Sequence, residues 1–219
     1  LHGQVIPYLD GYSVNVHRVP YGVTAHIIPW NYPAQQFGRS VGPALAVGNA
    51  AVVKPSEDAC LTTLVMSQLG LEAGLPPGAL NIVAGLGDRA GAALSNHPEI
   101  NFMSFTGSPR VGTLVQQATA NHFVGCTLEL GGKSPQVIFA DADFEKAVPV
   151  IVRAIIQHAG QTCSAGSRIL VQKEIYNEFM KQVAAHFAKV RVGTPDMDLD
   201  CGPVMNAKQR NLVEGFREE

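Results

Sequence analysis

Residues 22–53 read GVTAHIIPWNYPAQQFGRSVGPALAVGNAAVV, and the rhythm of this stretch decides the fold. Val23 to Ile28 is a short apolar run closed by Pro29. Ala34 to Ala46 reads as a helical stretch, and Ala50 to Val53 is a second short apolar run. Short apolar strands joined by a helix fit a parallel pair, because parallel strands need a long crossover and are buried on both faces.

Toward the C-terminus the pattern repeats. Cys60 to Ala73 reads as helix and Leu80 to Val83 as strand, with a short helix near Ala90 to Leu94. Ile100 to Phe105 is strand, Val111 to Ala120 helix, and Cys126 to Leu130 strand. The fold expected is α/β, a doubly wound parallel sheet of nucleotide-binding type. Gly131-Gly132 then breaks the chain. Pro135 to Phe139 reads as strand and Phe144 to His158 as helix, followed by a glycine-flanked segment from Gly160 to Gly166. Arg168 to Val171 extends again, and a long helix covers Ile175 to Val190. This is the start of a second α/β unit. Toward the N-terminus, residues 4 to 19 alternate loosely around Asp10-Gly11, a hairpin signal. The division predicted is a hairpin over 1–20, a nucleotide-binding unit over 21–131 and a second unit over 132–219. The chain starts at Leu1 and stops within a helix-like stretch that begins near Asn206, so a fragment is expected.

Of the 219 residues 46% are hydrophobic, enough for a substantial core, and 16% are charged, with a net charge of -2. That balance gives no electrostatic reason to expect nucleic acid or an acidic membrane as partner. No run of about 18 apolar residues is present to span a bilayer, nor a leader-like start, and a cytosolic setting is the default. Cys60, Cys126, Cys163 and Cys201 lack the paired spacing of a zinc site, so no metal is expected. Reduced thiols are the better reading.

Five segments carry candidate chemistry. Gln161-Thr162-Cys163-Ser164-Ala165-Gly166 sets a thiol among small residues, which leaves a substrate room to reach the sulfur. A buried structural cysteine is the alternative. In Leu128-Glu129-Leu130-Gly131-Gly132-Lys133 a glutamate lies between two leucines at a strand end. Partial burial there would raise its pKa and suit it to general-base work; a solvated carboxylate is the alternative. Pro29-Trp30-Asn31-Tyr32-Pro33 follows the first parallel strand, at the sheet edge where open α/β folds bind ligands. The Asn31 amide could donate to an oxyanion, or serve only a turn or cap. Phe105-Thr106-Gly107-Ser108-Pro109-Arg110-Val111-Gly112 turns from a strand into a helix whose amides suit a pyrophosphate, though without the GxGxxG spacing. Packing glycines are the other reading. Lastly, Lys54 and Glu57 in Val53-Lys54-Pro55-Ser56-Glu57 could both hydrogen-bond a ribose, or form a solvated turn.

Taken together and in this order, the segments resemble the aldehyde dehydrogenase superfamily over essentially the whole chain. Leu128-Glu129-Leu130-Gly131-Gly132-Lys133-Ser134-Pro135 resembles its glutamate signature, and Gly160-Gln161-Thr162-Cys163-Ser164-Ala165-Gly166-Ser167-Arg168 its cysteine signature. The resemblance implies a non-acylating, NAD(P)-dependent oxidoreductase that converts an aldehyde to a carboxylic acid. Cys163 would be the nucleophile that forms a thiohemiacetal and then a thioester, and Glu129 the base that activates water. The Asn31 side chain and the Cys163 backbone N–H would hold the oxyanion. Ile27, Pro29, Trp30, Lys54, Glu57, Gly87, Phe105, Thr106, Gly107, Ser108 and Leu130 would form the cofactor surface. The family's cofactor domain is a Rossmann variant, which accounts for the missing glycine fingerprint. NAD is expected over NADP, since the Glu57 charge would repel a 2′-phosphate.

The resemblance further implies that residues 1 to 20 form an oligomerisation hairpin, hence a homodimer or homotetramer when full length. Two features depart from the family. Many members carry a lysine shortly before the Gly-Pro-Ala segment, where this chain has Arg39-Ser40 ahead of Val41-Gly42-Pro43. The later Glu-x-Phe-Gly-Pro segment does not occur. A cysteine-dependent ester or thioester hydrolase, without hydride transfer, is the competing class, and cofactor-dependent turnover separates the two. Members that pass the acyl group to coenzyme A tend to lack the glutamate that stands here as Glu129. A non-catalytic relative is a third reading, disfavoured by the intact Cys163, Glu129 and Asn31.

Overall fold

The computed structural model describes residues 2–218, the side chains through 216. The chain divides into two compact units, Leu1–Leu130 and Gly131–Glu219.

The first unit opens on a hairpin of β1 (Gln4–Ile6) and β2 (Val14–Val16), antiparallel with Gln4 opposite Val16. Asp10-Gly11 sits at its tip, where Gly11 takes φ +85° and the Tyr12 N–H returns to the Leu9 carbonyl at 3.1 Å. The strands pair well back from that turn, so the connection is a long loop and not a two-residue turn. Val5, Tyr8, Leu9, Tyr12 and Val19 are all exposed.

There follow β3 (Val23–Ile28), α1 (Pro33–Ala46), β4 (Ala50–Pro55), α2 (Cys60–Glu72), β5 (Leu80–Ile82), α3 (Ala92–Ser95), β6 (Phe102–Gly107), α4 (Pro109–Ala120) and β7 (Gly125–Leu130). The five strands from β3 to β7 form one parallel sheet in the order β5-β4-β3-β6-β7. Counted from β3, that is 3-2-1-4-5, the doubly wound order whose crevice opens where the chain reverses direction, between β3 and β6. The doubly wound parallel sheet predicted from the sequence is the fold observed.

Alternation along each strand assigns the faces. Ile28, Ala51, Val53 and Leu80 point to the side covered by α1 and α2, packing on Phe37 and Val41. Ala25, Met103 and Phe105 point to the other side, where Ile100 and Val115 close the core beneath α3 and α4. The start of β3 is fixed by Gly22. Its φ is +115°, and a Cβ there would lie 2.6 Å from the Asn101 side-chain oxygen, which accepts the Val23 N–H at 2.8 Å.

In the second unit β8 (Pro135–Ile138) pairs in parallel with β9 (Arg168–Val171), and α5 (Phe144–Ile156) crosses between them. α6 (Tyr176–Phe187) packs on α5 around Ile138, Val148, Ile151, Val152, Phe179 and Val183. α7 (Ala207–Glu218) follows. The sequence carries α5 on to His158, but the helix ends at Ile156. His158 and Ala159 take φ +52° and +55°, and Gly160 +74°, so the backbone turns left-handed for three residues. Among the described residues no helix is long and apolar enough to cross a membrane.

Candidate active-site segments

Cys163 lies on the loop between that left-handed run and β9. Its residue is exposed, whereas Cys60, Cys126 and Cys201 are half-buried, all four as free thiols. Burial pushes the Cys126 thiol up, offset in part by a hydrogen bond with Thr119, which works against thiolate formation there. The Cys163 loop is held on both flanks. Ahead of it, the Gln161 side chain donates to the His158 carbonyl at 2.9 Å, and its oxygen accepts the Met205 N–H at 2.7 Å. Behind it, Gly166 donates its N–H to Ala154 on α5 at 3.1 Å, while its carbonyl accepts from the Gln136 amide on β8 at 3.0 Å. Left-handed non-glycine residues cost about 1–3 kcal/mol each and persist only where their surroundings over-determine them. Here His158 and Ala159 are such residues, and the Gln161 bonds are part of what holds them. Gln136 and Gln161 are contributions that sequence reasoning did not assign. A glutamine in a strand carries no spacing signal, and its partners lie far along the chain.

Most of the candidate cofactor residues gather at the carboxyl edge of the first unit's sheet. Ile27 sits directly between Lys54 on β4 and Phe105 on β6, and Phe105 is followed laterally by Leu128. Leu130 faces Gly107 across the next pair, and Thr106 faces Glu129. Pro29, Trp30 and Asn31 form the turn from β3 into α1, at the crevice position. Asn31 is not the helix cap; Tyr32 occupies that position, with Pro33 at the first helical turn. Gly87 begins a π-type turn, Gly87–Gly91, that ends at α3. Gly91 stands beside both Ile27 and Lys54, whose side chains lie 3.9 and 4.0 Å from where its Cβ would be.

The solvated-turn alternative for Lys54 and Glu57 does not hold. Lys54 is 3% exposed and its ammonium lies 3.0 Å from the Glu57 carboxylate, which is 46% exposed. The lysine is buried behind the carboxylate, and the half-exposed carboxylate is the part of the pair open to solvent. At the α4 N-terminus the anion-binding reading weakens. Pro109 has no N–H, and the Val111 N–H already donates to Ser108 Oγ at 3.4 Å. Ser108 thus caps the helix, leaving fewer amides for a phosphate than the motif suggests.

Glu129 does not have the burial anticipated for it. Leu128 and Leu130 turn toward α4, and alternation sends Glu129 to the opposite face of β7, where its side chain is 49% exposed. There Arg39 on α1 donates to Glu129 Oε1 at 3.4 Å. Among the described residues no cluster of His, Cys, Asp and Glu could hold a metal.

A protein-family model described as "Aldehyde dehydrogenase family" matches residues 1–219. The mouse protein "Aldehyde dehydrogenase, cytosolic 1" is 43% identical over 220 residues, covering 100% of this chain and 44% of its own length. A crystal structure of a Burkholderia cenocepacia protein of aldehyde dehydrogenase type is 58% identical with a TM-score of 0.98, covering 100% of this chain and 46% of that one. Betaine aldehyde dehydrogenase from Staphylococcus aureus, solved in complex with NAD+, is 39% identical with a TM-score of 0.94, covering 99% and 43%. The chain therefore spans about half the length of the relatives it matches.

Proposed function

This chain belongs to the aldehyde dehydrogenase family, and from that premise we propose that it supplies the nucleophile, the general base and most of the cofactor surface for NAD-dependent oxidation of an aldehyde to a carboxylic acid. The observation that carries the reading is Cys163, an exposed thiol on a loop pinned at Gln161 and Gly166. A structural cysteine needs neither the access nor the anchoring.

The donor set fits a dinucleotide. A lysine and a carboxylate 3.0 Å apart match the vicinal hydroxyls of a ribose, one accepting and one donating. Ile27, Pro29, Trp30, Gly87, Phe105, Thr106, Gly107, Ser108 and Leu130 complete the surface in this reading, and the carboxylate of Glu57 selects NAD over NADP. When bound, NAD supplies the hydride acceptor that the side chains lack. Cys163 attacks the aldehyde carbon and holds it covalently, first as thiohemiacetal and then as thioester. Covalent capture fixes the reacting carbon and prevents early release. The Asn31 amide and the Cys163 N–H stabilise the oxyanion. Glu129 takes a proton from the water that releases the acid. In this account unit Leu1–Leu130 is the cofactor part and Gly131–Glu219 the nucleophile-bearing part. The hairpin, with its exposed Val5, Tyr8, Leu9 and Tyr12, joins subunits into a dimer or tetramer. The setting is cytosolic, as the mouse relative's name has it for that protein.

The test is NADH formation by the full-length protein over a panel of aldehydes. Cys163→Ala should abolish it while leaving NAD binding intact. Wild-type turnover in that variant would overturn the assignment, and ester hydrolysis without NADH would favour the hydrolase.

A further inference from the structure

We propose that Arg39 is a positioning residue for Glu129, holding its carboxylate in the orientation that activates water for thioester hydrolysis. The proposal rests on Glu129 acting as the base, and deepens that reading. Arg39 lies on α1, two residues past the buried Phe37, and extends along the same sheet face to which Glu129 is turned at β7. Its Nη2 donates to Glu129 Oε1 at 3.4 Å, with the two side chains 60% and 49% exposed. A pair so exposed contributes little to stability. Its consequence is geometric, because a glutamate on an open strand face otherwise samples several rotamers. A guanidinium stays charged at every working pH and offers its donors in a fixed plane, so it defines one of them.

The contact engages Oε1 and leaves Oε2 to do the chemistry. Water attacks the thioester carbon, and Oε2 takes its proton. The carbon–sulfur bond breaks, and Cys163 leaves as thiolate with the carboxylic acid as product. Glu129 then returns its proton to solvent. A base displaced by about 1 Å costs on the order of a hundredfold in rate. Arg39 engages only one carboxylate oxygen of a half-exposed side chain, so loss of the contact displaces the base only part of the time and an effect of about tenfold is the expectation.

The experiment compares Arg39→Gln and Arg39→Lys with wild type in the full-length protein, alone and combined with Glu129→Gln. Aldehyde and NAD are mixed rapidly, the first turnover of NADH is recorded, and decay of the acyl-enzyme is followed by quenching and intact mass. Arg39→Gln should leave the first-turnover rate within about twofold of wild type and slow acyl-enzyme decay on the order of tenfold. Arg39→Lys, which keeps the charge but not the fixed plane of donors, should recover only part of that loss. In the Glu129→Gln background, Arg39→Gln should add nothing further. Unchanged decay in Arg39→Gln, equal loss of both steps, or full additivity with Glu129→Gln would overturn the proposal. If Glu129→Gln itself decays like wild type, the base assignment fails, and that result is distinct from failure of Arg39 alone.

Discussion

Lys54 and Glu57 form an ion pair of unequal burial: the ammonium and carboxylate are 3.0 Å apart, the lysine 3% exposed and the glutamate 46%. The lysine cannot relax toward water, so it fixes the more exposed carboxylate at the carboxyl end of β4. Hydrogen bonds to charged groups contribute about 1.5–3 kcal/mol each, and the discrimination between cofactors should follow the charge.

Glu57→Gln should therefore lower the preference for NAD over NADP, on the order of tenfold in the ratio of kcat/KM values, an effect of about 1.4 kcal/mol. The change should fall mainly on KM. Steady-state kinetics with both cofactors measure it, and an unaltered ratio would remove Glu57 from the ribose site.

His26 sits on β3 between Val53 and Ser104, 2% exposed, and Thr24 Oγ1 lies 2.9 Å from its Nε2. Burial lowers its pKa from 6.5 to about 4. Between those values the unfolded chain binds the proton and the folded chain does not. Stability is therefore fully present above about pH 6.5 and falls as pH drops toward 4. The loss is on the order of 3 kcal/mol. Thermal unfolding across that window should show a steep acid limb, flattened in His26→Asn. Parallel limbs in the two proteins would show that another group governs the transition.

A Cβ at Gly166 would collide with the Gln136 carboxamide, the far end of a flexible side chain that must then move. Gly166→Ala should break the bond from Gln136 to the Gly166 carbonyl and shift the Cys163 loop. The first-turnover rate should fall by about a hundredfold, while the unfolding temperature changes little because the glutamine can swing aside. A normal rate would mean that the pinning does not set the sulfur's position.

The sheet was legible because each of its strands is a short apolar run closed by Gly, Pro or Asn. Val23 to Ile28 and Arg168 to Val171 were placed to the residue. What escaped was local backbone or distant partnership. Nothing in the side chains of His158 and Ala159 announces a left-handed turn, so the residue pattern alone carries α5 on to His158. Asp10-Gly11 marked a turn, but pairing of Gln4 with Val16 depends on residues beyond it. The leucine–glutamate–leucine pattern marked a strand end, but it did not show that the glutamate's face of β7 is open. Its partner Arg39 lies 90 residues away, beyond the reach of any local pattern.

If Cys163 carries the acyl group after one hydride has left, a single variant will trap it there. Full-length Glu129→Gln is mixed with aldehyde and NAD, quenched, digested and weighed peptide by peptide. About one equivalent of NADH per active site is expected, with an acyl mass increment confined to the peptide bearing Cys163. NADH formed without an adduct on that peptide, or an adduct on Cys60, Cys126 or Cys201 instead, would contradict it.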